Sequence, residues 1–208
     1  MSAQQISRWS RFWHMASGWG SVGVVYTLSG WLQGPGTVLP ETALDRLISF
    51  NPDGIWLYLS FFVIIPVAYF TTDVPRMRWL MRSMQVCAVL CGLVFMLWPT
   101  TLVYPEVSGD GISVWVFRLL LAGDSSQNCL PSLHAALTLL SVWALLDRRR
   151  PWRSLLAVGC GICICFSIIQ LRRHVSIDLA AGLLVGWCSG WLCLQRRPAS
   201  HENRAVTS

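Results

Sequence analysis

Asn128-Cys129-Leu130-Pro131-Ser132-Leu133-His134-Ala135-Ala136 is the stretch on which the reading of the whole chain turns. A turn ends at Pro131 and an apolar helix is expected to begin there, because proline's fixed φ and missing N–H suit a first helical turn. Ser132 and His134 then fall in that first turn, beside N–H groups without intrahelical acceptors and at the positive end of the helix dipole. Such a place favours anions, phosphate above all. A second stretch, Arg172-Arg173-His174-Val175-Ser176-Ile177-Asp178, has the same setting at the mouth of another apolar helix. The expectation is two helix mouths facing each other across a phosphate.

The surroundings of these mouths are those of a membrane protein. Of 208 residues 54% are hydrophobic and 12% charged, with 12 Trp and a mean hydropathy of +0.51. Soluble domains carry about 25% charged residues. The apolar residues fall in blocks, so the fold class is an all-α membrane protein, a single integral-membrane domain over 1–208. Six transmembrane helices are expected in a bundle, at about 14–32, 55–70, 84–102, 131–146, 154–171 and 175–194, with a polar tail over 195–208. The first block could pass for a signal peptide, but its length suits a retained span. Pro66 interrupts the second, Thr42 to Phe50 reads as a short amphipathic surface helix, and Ile112 to Ala122 as an apolar segment along the interface.

The charge is +6, and every one of the 16 basic residues is arginine. The arginines lie between apolar blocks, so topology accounts for them better than nucleic acid does. The N-terminal lead, the 71–83 loop, the 147–153 turn and the start of the tail hold eleven: 8, 11, 76, 78, 82, 148, 149, 150, 153, 196 and 197. The other three loops hold four: 46, 118, 172 and 173. The Arg-rich side is expected to be cytoplasmic, with both termini there. Both motif stretches then face the periplasm or exterior of a bacterial-type inner membrane. Arg172 and Arg173 run against the topological trend, which argues for a local role for at least one of them.

The 8 cysteines, all but Cys129 within expected spans, read as small packing residues rather than disulfides or a zinc site. His14 and His201 receive no role. His174 and Asp178 are four apart, so their side chains can meet on one helical face. A carboxylate on one imidazole nitrogen fixes the tautomer and makes the other the better nucleophile. His134 can protonate the departing oxygen from the opposite side. Arg172 or Arg173, Ser132 and the helix-start N–H groups would stabilise charge on the equatorial oxygens. Two histidines, a carboxylate and arginines without an acidic cluster point to phosphoryl transfer through a phosphohistidine, with no metal or other cofactor. A zinc site of His134, His174 and Asp178 is the competing idea, against which the flanking arginines would repel a cation.

Asp124-Ser-Ser-Gln-Asn128-Cys-Leu-Pro131-Ser132-Leu133-His134 resembles the second motif of the type-2 phosphatidic acid phosphatase superfamily, in particular its Pro-Ser-Leu-His branch of inositol phosphorylceramide synthase-like phosphotransferases. Ser167, His174, Asp178 and Ala181-Gly182 resemble its third motif. The resemblance implies His174 as nucleophile, Asp178 as its orienter, His134 as general acid and Ser132 as a phosphate ligand. The superfamily's first motif supplies a lysine and an arginine. This chain has no lysine, carries Glu106 in the corresponding region, and has Ile168 six residues before His174 where an arginine is usual. Arg172, Arg173 or Arg118 are expected to take over, with Asn128 completing the phosphate-binding set. The expected partners are a membrane lipid substrate and the bilayer, not nucleic acid. The expected activity is that of a membrane lipid phosphatase hydrolysing a lipid phosphate or pyrophosphate monoester; a lipid phosphotransferase moving a phospho-alcohol headgroup and a catalytically decayed membrane protein are the alternatives, and oligomeric state stays open.

Overall fold

Two helices with small faces set the architecture, and the computed structural model, which describes residues 6–195, shows where they meet. Helix α7 is Leu133–Leu145 and α9 is Ser176–Gln195. On α9, Gly182, Gly186 and Gly190 recur every four residues and are buried. A Cβ on Gly182 would collide with the Ser132 carbonyl, and one on Gly186 would lie 2.8 Å from the Ala136 carbonyl. Only glycine permits this approach, as at close helix crossings in membranes. The crossing ties the two helix mouths together: the Ser132 N–H donates to the Asp178 carbonyl at 3.0 Å.

The other elements wrap α7. In chain order they are α1 (Arg8–Leu32), the two-residue β1 (Thr37–Val38), α2 (Ala43–Leu47), a 3-10 turn (Pro52–Gly54), α3 (Ile55–Leu59), α4 (Phe61–Thr71), α5 (Val74–Leu97), β2 (Thr100–Thr101), α6 (Ile112–Gly123), then α7, α8 (Pro151–Gln170) and α9. Strands β1 and β2 pair in parallel, Thr37 against Thr100, and tie the loops at the site end. Helix α7 packs on α4, α5, α8 and α9, and α1 packs along α5. Nine of its thirteen residues are buried, so α7 is the core of the bundle rather than part of its lipid-facing wall.

Among the described residues four stretches are long and apolar enough to cross a membrane: Pro52–Thr71, Val74–Leu97, Pro151–Gln170 and Ser176–Gln195. Helix α7 stops at Leu145, one residue short of its expected span, with Leu146 as its C-cap before the Asp147-Arg148-Arg149-Arg150 turn. It also starts later than expected. Ser132 is the N-cap, its Oγ accepting from the Ala135 N–H at 3.3 Å, and Pro131 precedes it. Helix α5 starts ten residues before the expected 84, because Asp73 caps it and Pro75 sits in its first turn, so Arg76, Arg78 and Arg82 are helical rather than in a loop. Helix α1 likewise starts at Arg8, capped by Ser7. In the second span the break falls at Ser60, between α3 and α4, while Pro66 is accommodated inside α4. The surface helix expected over Thr42 to Phe50 is the five-residue α2, and the interfacial segment is α6. The tail, with Arg196, Arg197 and His201, lies outside the described residues.

Arginines gather at one end of the bundle. Arg11 donates to the carbonyls of Tyr69 and Thr72 at 2.7 and 2.9 Å, Arg76 to that of Leu146, and Arg153 to Thr71. Both motif stretches lie at the opposite end.

Candidate active site

The turn from α8 into α9 presents the first set of side chains. Helix α8 closes with a Schellman motif: Arg172 N–H bonds to Ile169 O at 2.9 Å and Arg173 N–H to Ile168 O at 3.0 Å. The left-handed residue of this motif is usually glycine; here it is Arg172, at φ +55°. The reversal sends the adjacent arginines to different places. Arg172 leaves the site and donates to the carbonyls of Asp45 and Ile48 at 2.8 and 2.9 Å, with Glu41 at 3.4 Å. Arg173 turns inward, 4% exposed, and pairs with Asp124 while stacking on the Tyr104 ring at 4.3 Å. Its Nε and Nη1 are buried and have no partner among the described residues. Burial works against its charge, but Tyr104 and Asp124 outweigh that and hold its pKa above the ordinary arginine value.

His174 follows. It precedes α9 rather than lying on it, yet its Nδ1 is 2.9 Å from Asp178 Oδ2 in the first turn. Asp178 is fully buried. The pairing leaves His174 Nε2 as the nitrogen not held by the carboxylate. From α7, His134 brings a second ring whose centroid is 5.6 Å from that of His174. His134 Nε2 lies 2.7 Å from the Tyr58 hydroxyl of α3.

Arg173, His174, His134 and Tyr58 line one cavity of about 390 Å3, joined by Tyr26, Tyr104 and Asp124. Its wall toward α1, α4 and α6 is apolar, with Trp19, Phe61, Leu119 and Leu120. Asp124 accepts from Tyr26 at 2.8 Å and from the Ser125 N–H at 2.8 Å, besides Arg173. Cys129 also faces the cavity, but burial pushes its thiol up to about 12, so it offers no thiolate.

The expected residues divide. His134, His174, Asp178 and Arg173 are brought together. Asn128 lines the cavity, but its side chain is taken up structurally: it accepts from Gln33 at 2.8 Å and donates to the Tyr26 carbonyl at 2.9 Å, at a left-handed φ of +61°. Ser132 is fully buried and caps α7, so it supports the helix mouth rather than opening to the cavity. Two of the expected phosphate ligands are elsewhere. Arg172 is held by α2 and its C-cap because of the Schellman reversal. Arg118, on the outer part of α6, donates to the Val107 carbonyl at 2.7 Å. His14 bonds to the Ser10 carbonyl and stands apart from the site.

Sequence reasoning missed Tyr58, Tyr26 and Tyr104, which nothing in their local pattern distinguishes from interfacial aromatics. Asp124 opens the second motif stretch, where the sequence assigns it no role. Its signal was an acidic residue next to an apolar helix, a costly placement that tends to be functional.

A family model described as the PAP2 superfamily matches residues 54–192, which holds the whole constellation except the wall given by α1. No curated protein matches the sequence.

Proposed function

Because the chain belongs to the PAP2 superfamily, whose members are phosphatases or phosphotransferases, we propose that it is a membrane lipid phosphatase. It hydrolyses a lipid phosphate or pyrophosphate monoester through a phosphohistidine on His174. The observation that carries the reading is the pair of imidazoles 5.6 Å apart at one cavity, one of them held on Asp178. Asp178 keeps the His174 proton on Nδ1, so the Nε2 lone pair can attack phosphorus. His134 is the source of the proton for the departing oxygen. Arg173, whose Nε and Nη1 have no partner among the described residues, and the helix-start N–H groups of Leu133 and His134 at the mouth of α7 hold the equatorial oxygens. Water then releases phosphate. Arg173 beside the histidines disfavours a cation at the site, which supports metal-independent chemistry.

In this reading α1, α3–α4, α5, α7, α8 and α9 are the six spans of one membrane domain. The Arg-rich end and both termini face the cytoplasm, and the site faces the periplasm or exterior of the inner membrane. The apolar cavity wall suits a substrate that keeps its tail in the bilayer.

Asp124 favours a second reading, transfer of a phospho-alcohol headgroup between lipids as in the Pro-Ser-Leu-His branch. A carboxylate repels phosphate but accepts a hydrogen bond from an acceptor hydroxyl, and Asp124 borders the cavity. One assay separates the two. Purified protein is incubated with 32P-labelled phosphatidic acid, phosphatidylglycerol phosphate and polyprenyl pyrophosphate, with EDTA present. Free phosphate supports the phosphatase, and a new labelled lipid the transferase. Unchanged turnover by His174→Ala would falsify both.

A further inference from the structure

Among the described residues His174 has a carboxylate behind it and His134 does not. The His134 ring is hemmed by Phe61 at 4.6 Å, Tyr58 at 5.1 Å and His174 at 5.6 Å between centroids. Among the described residues its one hydrogen bond goes from or to Tyr58, at 2.7 Å on Nε2. That phenol is 1% exposed and reaches the same cavity as Arg173 and His174. It lies on the short α3, one turn before Phe61 of α4, which packs on the same His134 ring. The nitrogen that should deliver a proton is therefore already turned to a group that can both accept one and donate one.

We infer that Tyr58 is a catalytic residue that relays the proton between His134 and the reacting oxygen. The inference rests on the reading of His174 as nucleophile. In the first step His174 Nε2 forms a bond to phosphorus while the bond from phosphorus to the leaving oxygen breaks, its electron pair staying on that oxygen. The oxygen takes the Tyr58 hydroxyl proton, and Tyr58 takes the Nε2 proton of His134. With the phosphate dianion bound beside it, His134 starts this step as imidazolium and ends neutral, while Tyr58 is unchanged. In the second step a water attacks phosphorus and gives a proton to Tyr58, which passes its own to His134. The bond from His174 to phosphorus breaks, with its electron pair returning to Nε2. Phosphate leaves, and His134 is again imidazolium.

A relay and a packing role separate on leaving groups. An alkoxide needs a proton to depart and 4-nitrophenolate does not. Wild type, Tyr58→Phe, His134→Ala and His174→Ala are compared on dioleoyl phosphatidic acid in micelles and on 4-nitrophenyl phosphate. Tyr58→Phe is expected to lower turnover of the lipid about 100-fold and that of the aryl ester by less than about tenfold, with His134→Ala showing the same split. Combining Tyr58→Phe with His134→Ala should cost little beyond His134→Ala alone, since the two act as one unit. Equal losses on both esters by Tyr58→Phe, or none on the lipid, overturn the relay and leave the phosphohistidine reading standing. Activity of His174→Ala on either ester overturns that reading and the relay with it. Should Tyr58→Phe not fold, 3-fluorotyrosine at 58 keeps the packing and changes the phenol's acidity. A rate change on the lipid alone then supports the relay, and no change overturns it.

Discussion

The two ends of the bundle use arginine differently. At the end opposite the site, Arg11 and Arg76 finish on backbone carbonyls at the C-termini of α4 and α7. These carbonyls lack intrahelical donors and carry the negative end of the dipole, so a guanidinium there completes a helix. Arg172, at the site end, does the same work for α2. Arg173, its neighbour, is buried against a carboxylate, with two nitrogens unpartnered among the described residues. A buried donor without a partner costs about 1–3 kcal/mol, more when charged. A fold keeps such a group where a ligand completes it. The contrast teaches that position in the fold, not residue type or sequence neighbourhood, separates an arginine left with unpartnered nitrogens beside a cavity from one that ends a helix.

The hardest way to break the contrast is to remove the group on which the site end depends. His174→Ala is expected to lower turnover at least about 1,000-fold, whereas Arg76→Ala at the other end should leave it within about twofold of wild type by the surface-substitution rule. Comparable losses from both would mean that the two ends do not differ in function. The adjacent arginines sharpen the point. Arg173→Ala takes the guanidinium away from the half-buried Asp124 and from the proposed phosphate site, so kcat/KM should fall about 100–1,000-fold. Arg172→Ala loses a helix-end contact and should cost less than about tenfold through stability alone. Initial rates on the active lipid phosphate, with melting temperatures alongside, decide it. If Arg172 proves the costlier of the two, the assignment is reversed.

What could be read beforehand follows this same division. The membrane class and the His174–Asp178 pair depend on composition and on a spacing of four, which are local properties. The choice between Arg172 and Arg173 was not legible, because it turns on a left-handed backbone at a residue that is not glycine. Tyr58 was not legible either: it meets His134 across 76 residues of chain, inside an apolar run that reads as uniform. The early start of α5 was legible and overlooked. Asp73 followed by Pro75 is a helix-start signal, but the arginines after it read as loop.

The glycine crossing tests whether the two mouths must touch. Gly182→Ala places a methyl against the Ser132 carbonyl. Overpacking of this kind costs about 1–3 kcal/mol, and here it pushes α9 from α7 at the level of Asp178. Thermal unfolding in detergent should show the loss, together with a fall in kcat. Gly20→Ala on α1, where nothing lies within 4 Å of the new methyl, should instead be neutral or stabilising by about 0.5–1 kcal/mol, the helix cost of glycine. Equal behaviour of the two variants would show that the crossing is not close-packed.

The smallest expected effect concerns how the α8–α9 turn is held. Asp45 of α2 is fully buried and accepts from the Thr42 N–H at 2.7 Å, the Ser176 N–H at 2.7 Å and the Ser176 hydroxyl at 3.2 Å. It thereby caps α9 from outside, two residues beyond His174. Burial alone would raise its pKa, but the hydrogen bonds from Thr42 and Ser176 outweigh it and hold the carboxyl below its ordinary value. The unfolded chain then binds this proton more tightly than the folded one. The stabilisation is present above the unfolded carboxylate pKa of about 3.9 and is lost as pH falls through the folded value. Asp45→Asn should therefore melt below wild type at pH 7, and the gap should close below about pH 4, with kcat at pH 7 changed less than about tenfold. A gap that stays constant from pH 7 to pH 3 would show that the Asp45 charge does not hold the turn. The Arg172 fork onto the Asp45 and Ile48 carbonyls would then be what fixes Arg173 and His174 in place.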